Sequence, residues 1–285
     1  MRILITGASG QLGSELKDLL LDNTEKECYF LDRKQLPLDQ IQIIQDILGM
    51  YQPDLIIHAG AYTAVDKAEE DQVNADLVNH LACEEIAQYC HLHGTRLIAI
   101  STDYVFDGSS ASALTETAET APINVYGQTK LAGEQAIQKW CPEAIIIRTS
   151  WVYSTYGKNF VKTMCRLMAE RDEVGVINDQ IGSPTYAKDL AAALLKIADS
   201  SKWEAGIYNY SNEGEISWYD FAVAIRDYRS FNCQVKPIPT SAYPTPARRP
   251  KYSLLDKSKI KSVFAVEVPH WEVSLAKMLA EEFKN

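Results

Sequence analysis

A doubly wound, parallel α/β sheet, with a smaller α/β domain in the carboxyl-terminal part of the chain, is the fold class that the sequence predicts. Short β-branched runs alternate with segments of helical apolar spacing through about residue 150. This alternation requires a parallel sheet with helices on both faces. A glycine-rich turn, GASGQLG, directly follows the first β-branched run, and sheets of this class bind ligands outside the carboxyl ends of their strands.

The first strand, turn and helix form one unit. RILIT predicts a strand, and SELKDLLLD predicts a helix from its apolar spacing. Between them, Gly7, Gly10 and Gly13 form the pattern G-x-x-G-x-x-G, which lets the backbone turn sharply and approach a pyrophosphate at the positive end of the helix. A side chain at Gly10 would push the phosphates away. Such a turn is often only structural, but between a strand and a helix it predicts dinucleotide binding and a Rossmann-type sheet.

The end of the second strand gives conflicting indications about the cofactor. CYFLD ends in Asp32, about 20 residues beyond the glycines, where an acidic side chain commonly binds the adenosine ribose and favours NAD. Arg33 follows directly and could instead bind the 2′-phosphate of NADP. A surface Asp-Arg pair without a ligand is the third interpretation. The choice between NADH and NADPH therefore stays open.

The alternation continues along the chain. Helices and strands are predicted in turn for DQIQIIQDILGMY, DLIIHAG, ADLVNHLACEEIAQYCHLHG, RLIAIST, a helix that begins within NVYGQTKLAGE, and AIIIRTS. HAGAYT and STDYVF lie at two strand ends, which places residues 58–63 and 101–106 beside the cofactor.

A tyrosine and a lysine stand four residues apart at the start of the helix that follows STDYVF. Tyr126 and Lys130 therefore share one helical face. A nearby cation stabilises a phenolate and lowers the pKa of the phenol, so the pair is a candidate acid/base device. Tyr-x-x-x-Lys also arises by chance on solvated helices, but its place after a predicted ligand-binding strand end favours a functional role.

Composition and charge exclude several other classes. The chain has 285 residues, 46% of them hydrophobic, and a net charge of −10, which disfavours nonspecific binding to nucleic acid. No apolar run reaches the ~18 residues of a membrane span, and the amino terminus is unlike a secretory signal. The six cysteines show neither C-x-x-C nor metal-ligand spacing. We expect a cytoplasmic protein with reduced thiols and no membrane partner.

Together, these motifs resemble a known family. TGASGQLG, STDYVF and YGQTK are similar to the extended short-chain dehydrogenase/reductase superfamily. AYTAVDKAE, RTSWVY, INDQIGSPTYA and YPTPARRPKYSLLD narrow the resemblance to the dTDP-4-dehydrorhamnose reductase family, from residue 1 to about residue 256. The resemblance implies a small nucleotide-sugar substrate, dTDP-4-dehydro-L-rhamnose, whose C4 ketone is reduced by NADPH or NADH. The product would be dTDP-L-rhamnose, in the last step of dTDP-rhamnose biosynthesis.

The resemblance also implies roles for individual positions. Tyr126 would give a proton to the C4 oxygen, Lys130 would hold the nicotinamide ribose and lower the tyrosine pKa, and Thr102 would hydrogen-bond the ketone or the phenol. Asp103 and Trp151 match substrate contacts, although Trp151 is as readily explained by core packing. The other positions that match cofactor contacts are Gly10, Gln11, Leu12, Asp32, Asp39, Gln40, Ala61, Tyr62 and Thr63.

One difference from the related dehydratases narrows the set of reactions that the chain could catalyse. In those relatives an Asp-Glu pair follows the threonine and drives elimination of water, whereas here Asp103 is followed by Tyr104. Without the glutamate the general base is missing, which favours simple ketone reduction. The alternatives are another reductase or an epimerase of nucleotide sugars, and a noncatalytic, NADP-binding regulatory subunit of the same family. The intact Thr102, Tyr126 and Lys130 favour the enzyme.

The part of the chain after residue 150 is predicted to bind the substrate. We expect a dinucleotide-binding domain over residues 1–150, rejoined by part of 170–200, and a mainly substrate-binding domain over 151–285. Within the latter, SWYDFAVAIRDY predicts a core helix, which Ser217 would cap with Asp220 three residues on.

A basic, proline-rich segment, KPIPTSAYPTPARRPKY, predicts a stiff loop. Its Arg248, with Arg249 and Lys251, would suit a nucleotide-diphosphate substrate or form a solvated basic surface. No metal site is apparent, because His91 and His93 lack a third ligand. The family resemblance allows a divalent cation, magnesium, and a homodimer, but the sequence shows no ligand set for the cation.

Overall fold

The structure is a computed structural model that describes residues 1–21 and 26–283. Its strands are β1 (Arg2–Thr6), β2 (Glu27–Leu31), β3 (Leu55–His58), β4 (Arg96–Thr102), β5 (Ile145–Thr149), β6 (Val152–Tyr153), β7 (Glu173–Ile177), β8 (Ile181–Gly182), β9 (Thr185–Tyr186), β10 (Gly206–Tyr210), β11 (Ile216–Ser217) and β12 (Gln234–Ile238). Its α-helices are α1 (Gln11–Leu20), α2 (Ile44–Tyr51), α3 (Val65–Ala68), α4 (Gln72–Asp76), α5 (Ala82–His93), α6 (Val125–Trp140), α7 (Phe160–Glu170), α8 (Ala187–Ala198), α9 (Trp218–Arg229), α10 (Ser258–Phe264) and α11 (Trp271–Glu282).

The main sheet has, within the described residues, six strands in the order β10-β5-β4-β3-β1-β2. All neighbouring strands in it run parallel. The order switches direction between β1 and β3, which is where sheets of this kind bind their ligands. The doubly wound, Rossmann-type α/β fold predicted from the alternation is therefore confirmed.

Both faces of this sheet are buried, because each strand sends apolar side chains to either side. Ile3 and Ile5 of β1 pack in one core with Leu16 of α1 and Leu190 of α8. Leu4, between them in sequence, packs in the opposite core together with residues of α2 and α5. Burial on both faces explains why the first strand is continuously apolar rather than alternating.

The chain returns to the main sheet after residue 150. Helix α8 packs in the same core as α1, and β10 pairs with β5 in parallel at the edge of the sheet. The sequence of β10, GIYNY, has a single β-branched residue, so periodicity did not indicate this strand. The division of the chain near residue 150 stays a prediction about which part binds which ligand.

A second core lies around α7, α9 and α11. Phe221 and Ile225 of α9 are fully buried there with Leu275 of α11, as the helical spacing predicts. Ser217 caps α9, because its hydroxyl accepts the N–H of Asp220 at 3.1 Å while the Asp220 carboxylate accepts the N–H of Ser217 at 2.9 Å. This reciprocal capping fixes where the helix begins.

Cysteines and helix lengths bear on the expected environment of the chain. All six cysteines are free thiols, and five of them are buried. Over residues 1–21 and 26–283, none of the helices has the length and apolar character needed to cross a bilayer.

Candidate active site

A cleft of about 790 Å³ opens at the carboxyl ends of the main sheet. Most of the site residues predicted from the sequence line it: Gly7, Gly10, Gln11, Leu12, Asp32, Arg33, Asp39, Ala61, Tyr62, Thr63, Thr102, Asp103, Tyr126, Lys130 and Trp151. Gln40 and Arg248 do not line the cleft. Both side chains are exposed on the surface of the protein. Gln40 begins the turn into α2, and Arg248 contributes its carbonyl oxygen, which accepts a hydrogen bond from Asn124 Nδ2 at 2.7 Å.

The three glycines of the first turn are required for different reasons. Gly7 has a φ of 67°, in the left-handed region, and a Cβ there would lie 2.7 Å from the backbone of Gly60. A Cβ at Gly13 would overlap the carbonyl oxygen of Gly7, so this glycine lets α1 approach the turn. A Cβ at Gly10 would meet only that same oxygen, at 3.2 Å. Gly10 is therefore the glycine whose missing side chain keeps the cleft open.

The amino end of α1 fits a diphosphate. Gly10 is its N-cap and gives no side-chain hydrogen bond, and the first turn carries no acidic residue. The N–H groups of Gln11 and Leu12 belong to the first turn of the helix, where no intrahelical acceptor is available. Both residues line the cleft, so backbone amides and the positive end of the helix dipole face the space where an anion would bind.

The loop after β2 holds the charged residues expected to contact the adenosine ribose. Asp32 Oδ1 accepts the backbone N–H of Lys34 at 2.8 Å and that of Gln35 at 3.2 Å, which fixes the turn. Arg33 pairs with Asp39 at 2.6 Å, although 83% of the arginine side chain is exposed. Asp39 thus holds the guanidinium at the rim of the cleft, and a 2′-phosphate would compete with this carboxylate for Arg33.

The segment 61–63 is held in place by Asn79, which sequence reasoning did not single out. Asn79 Oδ1 accepts the N–H of Tyr62 at 2.8 Å, and Asn79 Nδ2 donates to the carbonyl oxygen of Tyr62 at 3.1 Å. Asn79 lies in a π-helical segment, Leu77–Leu81, between α4 and α5; such segments are frequent at functional sites. In the sequence, the only sign of this role is that a polar asparagine interrupts the apolar helical pattern.

Thr102 and Tyr126 meet at the end of β4. Their side chains are buried, and Asn124 fixes the start of α6 by accepting the N–H of Gly127 at 2.8 Å. Burial raises the pKa of Tyr126 to about 12, and a hydrogen bond from Thr102 opposes that rise. The lowering of this pKa expected from the spacing of Tyr126 and Lys130 is therefore not what the structure has, because desolvation of the phenolate is the largest effect and Lys130 is not among the groups that shift this pKa.

Lys130 is buried one helical turn beyond Tyr126. Its Nζ donates a hydrogen bond to the carbonyl oxygen of Ile100 at 2.7 Å. Burial lowers the pKa of Lys130, while the charges of Cys83 and Glu134 act to raise it. The helical spacing did place both functional groups in one cleft, and the Ile100 carbonyl holds the amine against the end of β4.

Asp103 is a buried carboxyl beside Thr102. Burial raises the pKa of Asp103 to about 6, against the lowering effect of hydrogen bonds from Ser253 and Thr102. Thr102 Oγ1 donates to Asp103 Oδ1 at 3.1 Å. A hydroxyl has one proton to donate, so Asp103 and Tyr126 compete for the proton of Thr102.

Trp151 both packs and lines the cleft, so the two interpretations of this residue are compatible. Its ring stacks on Trp218, with centroids 3.8 Å apart and an interplanar angle of 14°. Its backbone φ is 48°, a value that is uncommon outside glycine. Backbone strain of this kind clusters at ligand-binding sites.

The basic segment is partly anchored and partly solvated. Arg249 donates from Nη1 and Nη2 to the two carboxylate oxygens of Asp66 at 3.0 and 2.8 Å, and it also hydrogen-bonds Tyr104. The Tyr104 ring lies edge-on to Tyr126, with centroids 5.5 Å apart. Arg249 therefore ties this segment to the wall of the cleft, whereas Arg248 is exposed.

The described part of the chain contains no group of three or more His, Cys, Asp or Glu side chains arranged to hold a metal ion. The cleft itself holds a buried phenol, a buried amine and a hydroxyl, which belong to Tyr126, Lys130 and Thr102. With a dinucleotide seated on the glycine turn, these groups would lie beside the hydride donor. The arrangement suits transfer of a hydride and a proton to a carbonyl group.

Comparisons with known proteins agree with this geometry. The family model described as the RmlD substrate binding domain matches residues 1–283. A dTDP-4-dehydrorhamnose reductase of Aggregatibacter actinomycetemcomitans is 40% identical over 98% of each chain. The crystal structure of a dTDP-4-dehydrorhamnose reductase of Clostridium acetobutylicum is similar with a TM-score of 0.94 and 36% identity over 99% of each chain. A Bacillus anthracis dTDP-4-dehydrorhamnose reductase, solved in complex with NADP, has a TM-score of 0.94 and 40% identity over 98% of this chain and 99% of its own.

Proposed function

The chain belongs to the family described as the RmlD substrate binding domain, and from that premise we propose that it reduces the C4 ketone of dTDP-4-dehydro-L-rhamnose with NADPH or NADH. The product is dTDP-L-rhamnose, in the last step of dTDP-rhamnose biosynthesis. The observation that carries this proposal is the buried set of Thr102, Tyr126 and Lys130 in one cleft with an open glycine turn.

The cofactor would lie along the switch point of the sheet. The first amides of α1 would bind its diphosphate, with Gly10 leaving the necessary space. Asp32 and Arg33 would contact the adenosine ribose, and Lys130 would hold the nicotinamide ribose. Asp39 and residues 61–63 would line the rest of the path. When bound, the cofactor supplies the hydride, and the chain's own residues do the remaining work.

Tyr126 would deliver the proton to the C4 oxygen. The raised pKa of this phenol, about 12, keeps it protonated at neutral pH, as a general acid in ketone reduction must be. Hydrogen bonding from Thr102 stabilises the phenolate that remains after proton transfer. The positive charge of Lys130 on the same helical face would stabilise that phenolate further, so the pair acts on the product state rather than on the resting acid.

The part of the chain after residue 150 would supply most of the contacts to the substrate. Trp151 presents an aromatic ring in the cleft, supported by its stack on Trp218, and Asp103 lies at the same wall. Arg248 would approach the substrate diphosphate from outside the cleft, because its side chain is exposed. On this proposal residues 1–150, rejoined by α8, mainly hold the cofactor, and residues 151–285 mainly hold the nucleotide sugar.

We also propose the cytoplasm as the compartment and, from the family resemblance alone, a homodimer as the assembly. Free thiols at all six cysteines support a reducing compartment. The net charge of −10 supports a small-molecule partner over nucleic acid.

Incubation of the purified chain with dTDP-4-dehydrorhamnose and NADPH tests the function. We expect loss of the absorbance of the reduced cofactor and formation of dTDP-L-rhamnose, identified by chromatography against a standard. The same assay with NADH measures cofactor preference. Tight binding of NADPH without turnover would overturn the proposal and would favour a noncatalytic regulatory subunit.

A further inference from the structure

A buried ion pair lies directly behind the proposed reaction centre. Glu134 on α6 and Arg148 on β5 are almost wholly buried, with 2% and 3% of their side chains exposed. Arg148 Nη2 donates to Glu134 Oε2 at 2.6 Å, and Arg148 Nε donates to Oε1 at 2.9 Å. Ser101 Oγ also donates to Glu134 Oε1, at 2.5 Å. Both carboxylate oxygens of Glu134 are therefore fully satisfied.

This pair connects the three elements that carry the proposed reaction. Tyr126, Lys130 and Glu134 follow one another at four-residue intervals along one face of α6. Ser101 directly precedes Thr102 on β4 and lies opposite Arg148 in the register of β4 and β5. Lys130 donates to the carbonyl oxygen of Ile100, so α6 is held to the end of β4 by two adjacent turns.

Glu134 is also one of the groups whose charge acts on the buried amine of Lys130. The titratable groups facing Lys130 are His58 at the end of β3, Cys83 on α5 and Glu134 on its own helix. Burial lowers the pKa of His58 to about 3 and raises the pKa of the Cys83 thiol, so both are neutral at pH 7. The charge of Glu134 acts to raise the pKa of Lys130 against the larger lowering by burial, although the positive charge of Arg148 on the same carboxylate offsets part of this effect.

We infer that Glu134 is a positioning residue for the reduction: it fixes α6 against the ends of β4 and β5 and keeps Lys130 charged beside Tyr126. A charge at this depth is costly unless it is paired. A helix that only needed to pack would place an apolar side chain here. The predicted effect of Glu134 on the reduction rests on the proposed function, whereas its predicted effect on the charge of Lys130 does not.

Glu134→Gln tests the inference, with Glu84→Gln as the matched control. Glu84 on α5 accepts a hydrogen bond from Trp140 at the far end of α6, at 2.7 Å, so Glu84→Gln makes the same chemical change remote from Lys130. In Glu134→Gln we expect kcat to fall at least tenfold, and the loss of kcat/KM at high pH to begin about one pH unit lower than in the parent. Glu84→Gln should match the parent in both quantities.

Glu134→Gln leaves Arg148 buried without its anion, which destabilises the fold. Glu134→Gln/Arg148→Met is the second variant, because it deletes both charges and leaves no unpaired charge buried. A second readout follows Lys130 directly, by NMR titration of ¹³Cε-labelled lysine with the resonance assigned through Lys130→Arg. The midpoint of Lys130 should fall by about one pH unit in folded Glu134→Gln, and by less in Glu134→Gln/Arg148→Met, because the double variant also removes the positive charge of Arg148. An unchanged midpoint and an unchanged high-pH limb would overturn the inference. A shifted midpoint in a chain that fails to turn over dTDP-4-dehydrorhamnose would reject the proposed function alone.

Discussion

At the scale of single residues, the cleft buries titratable groups whose anions are disfavoured by burial and must be stabilised by hydrogen bonds. Tyr126 and Asp103 both have raised pKa values because burial disfavours their anions. Thr102 lies between them and can donate its one proton to either. The protonation of Asp103 therefore influences whether Thr102 stabilises the carboxylate or the phenolate of Tyr126.

Replacing Tyr126 with phenylalanine should remove nearly all turnover and leave the affinity for NADPH within threefold of the parent. The ring still fills its buried place, but the proton donor is gone, and a positioned general acid contributes ~10²–10⁴-fold. Steady-state kinetics and cofactor titration by fluorescence measure the two effects. Tyr153→Phe is the control, because the Tyr153 hydroxyl is buried and has no hydrogen-bond partner among the described residues. Turnover within threefold of the parent would contradict the assignment.

Replacing Asp103 with asparagine should raise stability at pH 8 and change it little at pH 4. The pKa of Asp103 is raised from 3.8 to about 6 in the folded chain, so its contribution to stability is present below pH 3.8 and is lost as the pH rises through 6. An uncharged asparagine avoids that loss, which is roughly 1–3 kcal/mol at pH 8. Thermal unfolding at both pH values measures it. A stability change of equal size and sign at pH 4 and pH 8 would show that packing, not ionisation, sets the effect.

At the scale of elements, the first turn and helix show why a repeated residue has several roles. Gly7 and Gly13 are required by backbone that would collide with a side chain, whereas a Cβ at Gly10 would meet only the carbonyl oxygen of Gly7, at 3.2 Å. A sequence pattern marks all three equally. The structure separates the glycines that build the turn from the one that leaves room for a ligand.

Variants of the glycine turn should therefore divide into two classes. Gly10→Val should keep the circular dichroism spectrum and the Tm of the parent but weaken NADPH binding at least tenfold, because the new side chain takes the place of the diphosphate. Gly13→Ala should lower the free energy of unfolding by about 1–3 kcal/mol, because its Cβ overlaps the turn and pushes α1 away from it. Normal NADPH titration in Gly10→Val would mean that the turn has only a structural role.

The elements also show how far the sequence could predict the fold. Strands β1 to β5 and helices α1, α2, α5 and α6 follow from periodicity, because their apolar residues repeat a strand or helix pattern. β10 is as long as β1 but weakly patterned, and its pairing with β5 joins segments that lie far apart in sequence. Glu134 and Arg148 are likewise joined only by folding, since a charged residue on a helix and another on a strand give no shared pattern. Distant partners of this kind are what a single sequence does not reveal.

At the scale of the whole molecule, the segment around Arg249 joins the part of the chain after residue 150 to the wall of the cleft. Asp66 accepts two hydrogen bonds from Arg249 and one from the N–H of Ala247, the last at 3.2 Å. The hydrogen bonds from Arg249 are the main reason that the pKa of Asp66 lies below its usual value. Because Arg249 also reaches Tyr104, which packs on Tyr126, this tie connects the basic segment with Tyr126, the proposed proton donor.

Breaking the contact between Asp66 and Arg249 should weaken binding of the nucleotide sugar more than binding of the cofactor. Arg249→Ala and Asp66→Asn should each raise KM for dTDP-4-dehydrorhamnose about three- to tenfold and leave the Kd for NADPH unchanged, since both side chains remain partly exposed and the pair contributes only about 1 kcal/mol. The double variant should be no worse than either single variant, because both changes remove one interaction. Lys236→Ala, which breaks an exposed ion pair with Glu173 on β7, is the control and should change neither constant. Additive losses in the double variant would show that Asp66 and Arg249 act separately, with Arg249 then contacting the substrate itself.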